Sequence, residues 1–208
     1  MVDRQLRRRG IEDERVLAAM AEVPREHFVP EKVRRSAYND SALPIGYEQT
    51  ISQPWVVAAI CQSLRLEGNE NVLEIGTGSG YSAAVLAELA GHVVSVERVP
   101  ELGETARRKL EELGVPNVEV VVGDGSRGYP EGAPYDAIAV HAATPEAPHS
   151  LLSELDRDGR LVVPIATGSA DLLTAFVRED GSLRQETIGP CRFVPLIGAE
   201  GFNPPDSS

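Results

Sequence analysis

Three glycines at alternate positions, Gly76, Gly78 and Gly80, separated by Thr77 and Ser79, are the residues of this 208-residue chain whose spacing speaks most directly of ligand chemistry. Glycine lets a backbone pass close to a bound molecule, and such a turn between a strand and a helix is a ligand site of α/β proteins. The spacing is G-x-G-x-G rather than the dinucleotide fingerprint G-x-G-x-x-G, and no Lys-Ser/Thr pair follows it as a phosphate-binding loop requires. The turn therefore points to a nucleoside without a phosphate to hold, and S-adenosylmethionine is the candidate that fits. Glu97 ends the next apolar run about 20 positions beyond Gly76, the distance at which an acid in such folds accepts from two ribose hydroxyls. A carboxylate suits a diol because it offers two acceptor oxygens and no donor. Asp124, between Gly123 and Gly125, is placed to accept from an adenine amino group while the glycines let the base lie on the backbone; a plain turn aspartate is the alternative. Glu74 lies inside the strand before the glycines and cannot be buried unpaired, so it must reach an amide, a water or the cationic methionine end of the ligand.

The remaining reactive side chains exclude more than they assign. His27, His92, His141 and His149 have no metal-ligand spacing, and no Ser-His-Asp set stands in a supporting context. Cys61 and Cys191 are far apart and lack CxxC spacing, which reads as two free thiols in a reducing compartment. No general base is forced by the pattern. That suits a carboxylate acceptor, which is ionised at neutral pH and can attack a sulfonium methyl directly, with in-line placement supplying most of the acceleration. A hydroxyl such as that of Ser52 would then orient the acceptor without deprotonating it.

These residues need a frame. From Asn71 onward strand and helix patterns alternate, the mark of a parallel sheet covered on both faces. Strands are expected at 71–75, 92–97, 117–122, 135–140 and 160–165, with helices over 81–90 and 100–113 and a short one ending at Leu155. Two further strands, at 171–178 and 191–196, joined by a turn at Asp180-Gly181, make the C-terminal part antiparallel. Before the sheet, residues 2–22 imply two short helices broken at Gly10, a stretch to Tyr38 a third, and 55–66 an apolar helix. The segment Asp40–Pro54 reads as a long irregular loop packed over the site. Within it Thr50 and Ser52 stand either as caps of the following helix or as functional groups.

The fold class expected is α/β: a doubly wound, mostly parallel sheet with an N-terminal helical extension. One domain spans 1–208, with helices and the loop in 1–66, the sheet core in 70–200 and a disordered tail over 203–208. The net charge of −12 repels a phosphate backbone, so nucleic acid is a poor partner; solubility or a salt-adapted host also accounts for it. The charged N-terminus lacks the apolar stretch of a secretory signal, and no run of about 18 apolar residues occurs to span a membrane. A cytoplasmic monomer is the expectation.

With these residues assembled, the chain resembles the protein-L-isoaspartate (D-aspartate) O-methyltransferase family over nearly its whole length. The likeness is carried by GIEDERVL (10–17), VPREHFVP (23–30), ALPIGYEQTISQPWVV (42–57), VLEIGTGSGYSAAVLA (72–87), SVER (95–98), GDGSRGYPEGAPYDAI (123–138) and RFVPL (192–196). VLEIGTGSGY alone marks a class I methyltransferase; TISQP after ALPIG, together with RFVPL, is far more specific. The resemblance implies S-adenosyl-L-methionine as cofactor, S-adenosyl-L-homocysteine as its product, and no metal. It implies cofactor contacts from Thr50, Ile51, Gln53, Glu74, Gly76, Thr77, Gly78, Ser79, Gly80, Glu97, Asp124 and Gly125. Ser52 takes the active-site position, and Val194, Pro195 and Leu196 help hold the substrate backbone. The sheet implied is the seven-stranded, Rossmann-like one of class I methyltransferases, with a reversed pair at its C-terminal edge. The activity implied is methylation of the α-carboxyl of L-isoaspartyl and D-aspartyl residues in damaged proteins, which starts repair through a succinimide. A relative acting on ordinary aspartate of a specific peptide is the alternative acceptor reading; methylation of tRNA or a small molecule, and a non-catalytic cofactor-binding module, are the others. Two positions depart from the family: Glu48 stands where it usually has Gly, and His141 where it usually has Thr.

Overall fold

Alternating burial on two faces explains the strands. In the computed structural model, which describes residues 1–179 and 181–204, Val72, Val93, Ala137, Ala139 and Val162 face one core while Leu73, Val94, Ile138, Val140 and Leu161 face another. Side chains alternate across a strand, so a sheet buried on both sides reads as continuous apolar runs. The chain runs α1 (Glu14–Glu22), β1 (Leu43–Gly46), β2 (Gln49–Ile51), α2 (Pro54–Leu64), β3 (Asn71–Ile75), α3 (Tyr81–Ala87), β4 (His92–Glu97), α4 (Pro100–Glu112), β5 (Val118–Val122), β6 (Tyr135–Val140), α5 (His149–Glu154), β7 (Leu155–Ala166), β8 (Asp171–Glu179) and β9 (Ser182–Cys191). Seven strands form one sheet in the order β5-β4-β3-β6-β7-β8-β9, parallel from β5 to β7 and antiparallel from β7 to β9. This is the mixed, doubly wound sheet expected.

The N-terminal extension is less regular than its periodicity predicts. A π-helical turn (Val2–Leu6) and a 3₁₀ turn (Arg7–Arg9) precede α1, and the stretch to Tyr38 is two 3₁₀ turns. Asp13 caps α1, its carboxylate accepting from the N–H groups of Arg15 and Val16. Leu6, Ile11, Val16, Leu17, Met20 and Phe28 enter the same core as α2, α3 and the inner face of β3, so the extension is packed on the sheet layer.

Two expectations are corrected. The segment 40–54 is not irregular: it contains the β1/β2 hairpin, register Leu43↔Ile51 and Gly46↔Gln49, turned by Tyr47 and Glu48 in left-handed conformation (φ 51° and 58°). A two-residue turn with both φ positive is the hairpin turn that matches strand twist, but its usual Asn-Gly signal is missing from the sequence. The last strand is Ser182–Cys191, not 191–196; it lies at the sheet edge, where polar side chains and Pro190 are tolerated. Of the expected turn at Asp180-Gly181, Asp180 lies outside the described residues, as do residues 205–208 of the expected disordered tail.

A left-handed non-glycine residue costs about 1 kcal/mol or more. Glu48→Gly is therefore expected to stabilise the protein by about 0.5–1 kcal/mol, read by calorimetry as a rise in Tm of about 2 °C. A fall in Tm would show that the Glu48 side chain stabilises the turn by more than its backbone costs.

Candidate active site

Parallel β3 is bordered by β4 on one side and β6 on the other, and the chain leaves them in opposite directions. Ligands of such sheets bind at this switch point, beyond the carboxyl ends of the strands. A cavity of ≈ 260 Å³ opens there, walled by the β3–α3 turn, the end of β4, Gly125, His141, the β1/β2 hairpin with Ser52, and the segment Val194–Ile197. Among the described residues no group of three or more His, Cys, Asp or Glu is arranged to hold a metal ion, and no helix is long and apolar enough to cross a membrane.

The glycine turn serves two ends. Gly78, at φ 53°, lines the cavity, while Gly80, at φ 88°, does not: a Cβ there would meet Ala106 Cβ at 3.2 Å and Phe28 at 3.4 Å. Gly80 thus lets α3 approach α4 closely. Glu97 is buried and clamps the turn: Oε2 accepts from the Gly78 N–H at 2.8 Å and Oε1 from the Val99 N–H at 2.9 Å. Each oxygen has a lone pair left, the acceptor set a diol requires.

Thr50, Ile51, Ser52, Gly76, Thr77, Ser79, Val194, Pro195 and Leu196 also line the cavity. The capping alternative for Thr50 and Ser52 fails, because the cap position of α2 belongs to Gln53 and no side chain caps that helix. The late segment is placed by pairing with the end of β6: Ala143 N–H donates to Val194 O at 2.8 Å and Leu196 N–H to Ala143 O at 2.7 Å. The strand misassigned to 191–196 is thus one bridge in the cavity wall.

Three sequence-predicted cofactor contacts besides Gly80 stand back from the cavity. Gln53 donates to the Asp40 carbonyl at 3.2 Å. Asp124 is turned onto protein donors, with Oδ1 accepting from Ser126 N and Oγ (3.0 and 2.7 Å) and Oδ2 from Ala199 N (2.9 Å), while Gly125 stands in the wall. Glu74 is fully buried behind the cavity, accepting at Oε2 from Ser95 Oγ, which shares a 2.6 Å hydrogen bond with Thr77 Oγ1.

Glu74 Oε1 has no hydrogen-bond partner and lies 3.4 Å from His141 Nε2, which bonds Ser82 Oγ at 2.7 Å. Burial pushes the Glu74 carboxyl up to about 7, against the lowering effect of the Ser95 and Ser82 hydroxyls. Burial pushes His141 down to about 4. At neutral pH the imidazole is therefore uncharged and Glu74–His141 is not an ion pair. The hydrogen bond that Glu74 makes comes from Ser95 on β4, while the neutral His141 beside Oε1 is bonded to Ser82, and both Ser82 and His141 stand in the cavity wall. Ser82, Tyr47, Gln49 and Ile197 are among the lining residues missed from sequence; Ser82 lies two residues beyond Gly80, the one signal that pointed to it.

A family model described as protein-L-isoaspartate(D-aspartate) O-methyltransferase matches residues 1–201. A protein-L-isoaspartate O-methyltransferase of Methanoculleus marisnigri is 52% identical over 202 residues, covering 97% of this chain and 92% of that one. One of Rhodopseudomonas palustris is 51% identical over 208 residues, covering 99% and 95%. A solved protein-L-isoaspartate O-methyltransferase superposes with a TM-score of 0.85 at 33% identity, covering 96% of this chain and 67% of that one. A putative one from Plasmodium falciparum, in complex with S-adenosyl-L-homocysteine, gives 0.80 at 24% identity over 92% and 94% of the two chains, a likeness of fold.

Proposed function

Because this chain belongs to the protein-L-isoaspartate(D-aspartate) O-methyltransferase family, we propose a division of its cavity into a cofactor half and an acceptor half. The enzyme uses S-adenosylmethionine to methylate the α-carboxyl of L-isoaspartyl, and of D-aspartyl, residues in damaged proteins and peptides. The following backbone amide nitrogen then attacks the ester carbonyl and expels methanol, giving a succinimide that water opens partly to normal aspartate, so only the first step of repair needs catalysis.

The cofactor half is Gly76–Ser79, Glu97 and Gly125, and the observation that carries it is the Glu97 carboxylate, which holds the Gly78 turn and keeps a lone pair on each oxygen toward the cavity side. The cofactor, when bound, supplies a sulfonium methyl group. The acceptor half is Ser52 with Val194–Leu196. Ser52 Oγ, free of helix capping, donates to the acceptor carboxylate and holds it in line; no residue has to remove a proton, since the acceptor is already ionised at neutral pH. Thr50 and Ile51 close the wall between the halves. Glu74, Gln53 and Asp124 support the site from behind through the bonds described, and Gly80 through the close approach of α3 to α4.

The reading extends to a single functional unit acting as a cytoplasmic monomer on polypeptide rather than nucleic acid. What supports it is the packing of the N-terminal extension on the sheet layer, the net charge of −12 and the two free thiols.

The test supplies labelled S-adenosylmethionine with matched peptides carrying isoaspartate or aspartate. Base-labile label on the isoaspartyl peptide is the expected result; equal labelling, or labelling of aspartate alone, would overturn the acceptor assignment. Ser52→Ala is expected to lower kcat about 10- to 100-fold, the worth of one hydrogen bond to a charged group, and to leave the cofactor Kd unchanged. An unchanged kcat would remove Ser52 from the acceptor half.

A further inference from the structure

Arg25, in the VPREHFVP stretch, is a fully buried guanidinium with no carboxylate partner among the described residues. Its Nε donates to the Ala37 carbonyl at 2.7 Å, its Nη2 donates to the Ser52 carbonyl at 2.7 Å, and its Nη1 has no acceptor. Its Cζ lies 4.7 Å from the centre of the buried Tyr81 ring. Ser52 and Tyr81 both line the cavity, so Arg25 stands directly behind the wall they form. Burial lowers its pKa, yet an arginine stays protonated at any pH a protein survives.

A buried charge without a counter-ion is costly and is retained where something compensates it. Two backbone carbonyls and an aromatic face do so in part. Around the cavity the other charges are mostly of the wrong sign for a carboxylate acceptor: Glu48 and Glu97 line it, and among the described residues the one cation in its wall, Arg98, is exposed beside Glu97 at the cofactor half. Arg25 is the cation on the Ser52 side.

We propose that Arg25 is a positioning residue of the acceptor half, fixing Ser52 through its carbonyl and supplying the positive charge that favours an ionised acceptor over a neutral one. The inference rests on the isoaspartyl reading of the site and adds a source of discrimination to it. The substrate enters as a carboxylate and departs as a neutral ester, so a charge placed behind Ser52 favours substrate binding over product retention. It also ties the N-terminal extension to catalysis, since Arg25 joins the turn at Ala37 to Ser52, two residues before α2.

The test measures, on the S-adenosylhomocysteine-bound enzyme, the Kd of an isoaspartyl peptide and of the same peptide with that α-carboxyl as a carboxamide. The unaltered protein is expected to bind the carboxylate more tightly, and Arg25→Gln to reduce the ratio of the two constants about tenfold, a difference of about 1.4 kcal/mol. A purely structural role would weaken both peptides alike, and an unchanged ratio overturns the proposal. Arg25→Lys keeps the charge and disturbs the Ser52 carbonyl bond. It is expected to hold the ratio within about twofold while lowering kcat, and should Arg25→Gln not fold, a lysine variant that loses the ratio, or keeps full kcat, decides against the proposal. Failure of the unaltered enzyme to label the isoaspartyl peptide would instead overturn the reading beneath it, so the two failures are distinguishable.

Discussion

Glu97→Ala is expected to weaken cofactor binding by about 10²–10³-fold, measured by titration calorimetry with S-adenosylhomocysteine. The carboxylate accepts from the backbone N–H groups of Gly78 and Val99, so its loss releases the glycine turn from the end of β4 as well as removing the acceptors for a diol. Each hydrogen bond to a charged group is worth about 1.5–3 kcal/mol, and two of them account for the expected factor without any term for turn disorder. Glu97→Gln separates the roles poorly, and that is informative. Its NH₂ would face a backbone N–H at one of the two clamps, so it is expected to lose nearly as much as alanine. A loss under about fivefold in either variant would mean that the ligand is held by backbone and shape alone.

Glu74→Gln is expected to gain stability relative to the unaltered protein as pH rises from 5 to 8, by about 2–3 kcal/mol over that interval. The folded carboxyl is raised to about 7 from its ordinary 4.5, so between these values the folded chain binds a proton that the unfolded chain does not. Its contribution is greatest below about 4.5 and is lost as pH rises through about 7. Glutamine cannot ionise and is exempt. His141 acts with the opposite sign: lowered to about 4 from 6.5, it lets stability rise with pH across that window, because there the unfolded chain binds the extra proton. Both proteins retain His141, so the difference between them isolates Glu74. Urea melts of the two at pH 5, 6.5 and 8 provide the measurement. Parallel curves would mean that Glu74 is ionised and satisfied throughout.

Legibility in the sequence followed burial. β3, β4 and β6 are found at 71–75, 92–97 and 135–140 as expected, because strands covered on both faces are written as unbroken apolar runs between turn residues. The edge strand β9 carries Ser182, Arg184 and Gln185 on exposed positions and closes with Gly189-Pro190-Cys191, so the same rule read it as a loop and moved the strand to 191–196. The β1/β2 hairpin failed for a local reason, since Tyr47-Glu48 occupies a turn that Asn-Gly would have announced.

By itself the sequence determined the order of the elements, the glycine turn, the acid at the end of β4 and the family to which TISQP and RFVPL point, because each is local: a few adjacent residues suffice to state it. Only the tertiary structure decided which of the acids reaches the cavity wall. Glu97 faces the cavity with lone pairs free, whereas Asp124 is held by Ala199, 75 positions further along, and Glu74 is enclosed between Ser95 and His141. It also decided that Arg25, charged and ordinary in sequence, lies without a counter-ion behind Ser52. Desolvation and the saturation of hydrogen bonds are set by neighbours in space, and those neighbours come from strands and loops that no local pattern brings together.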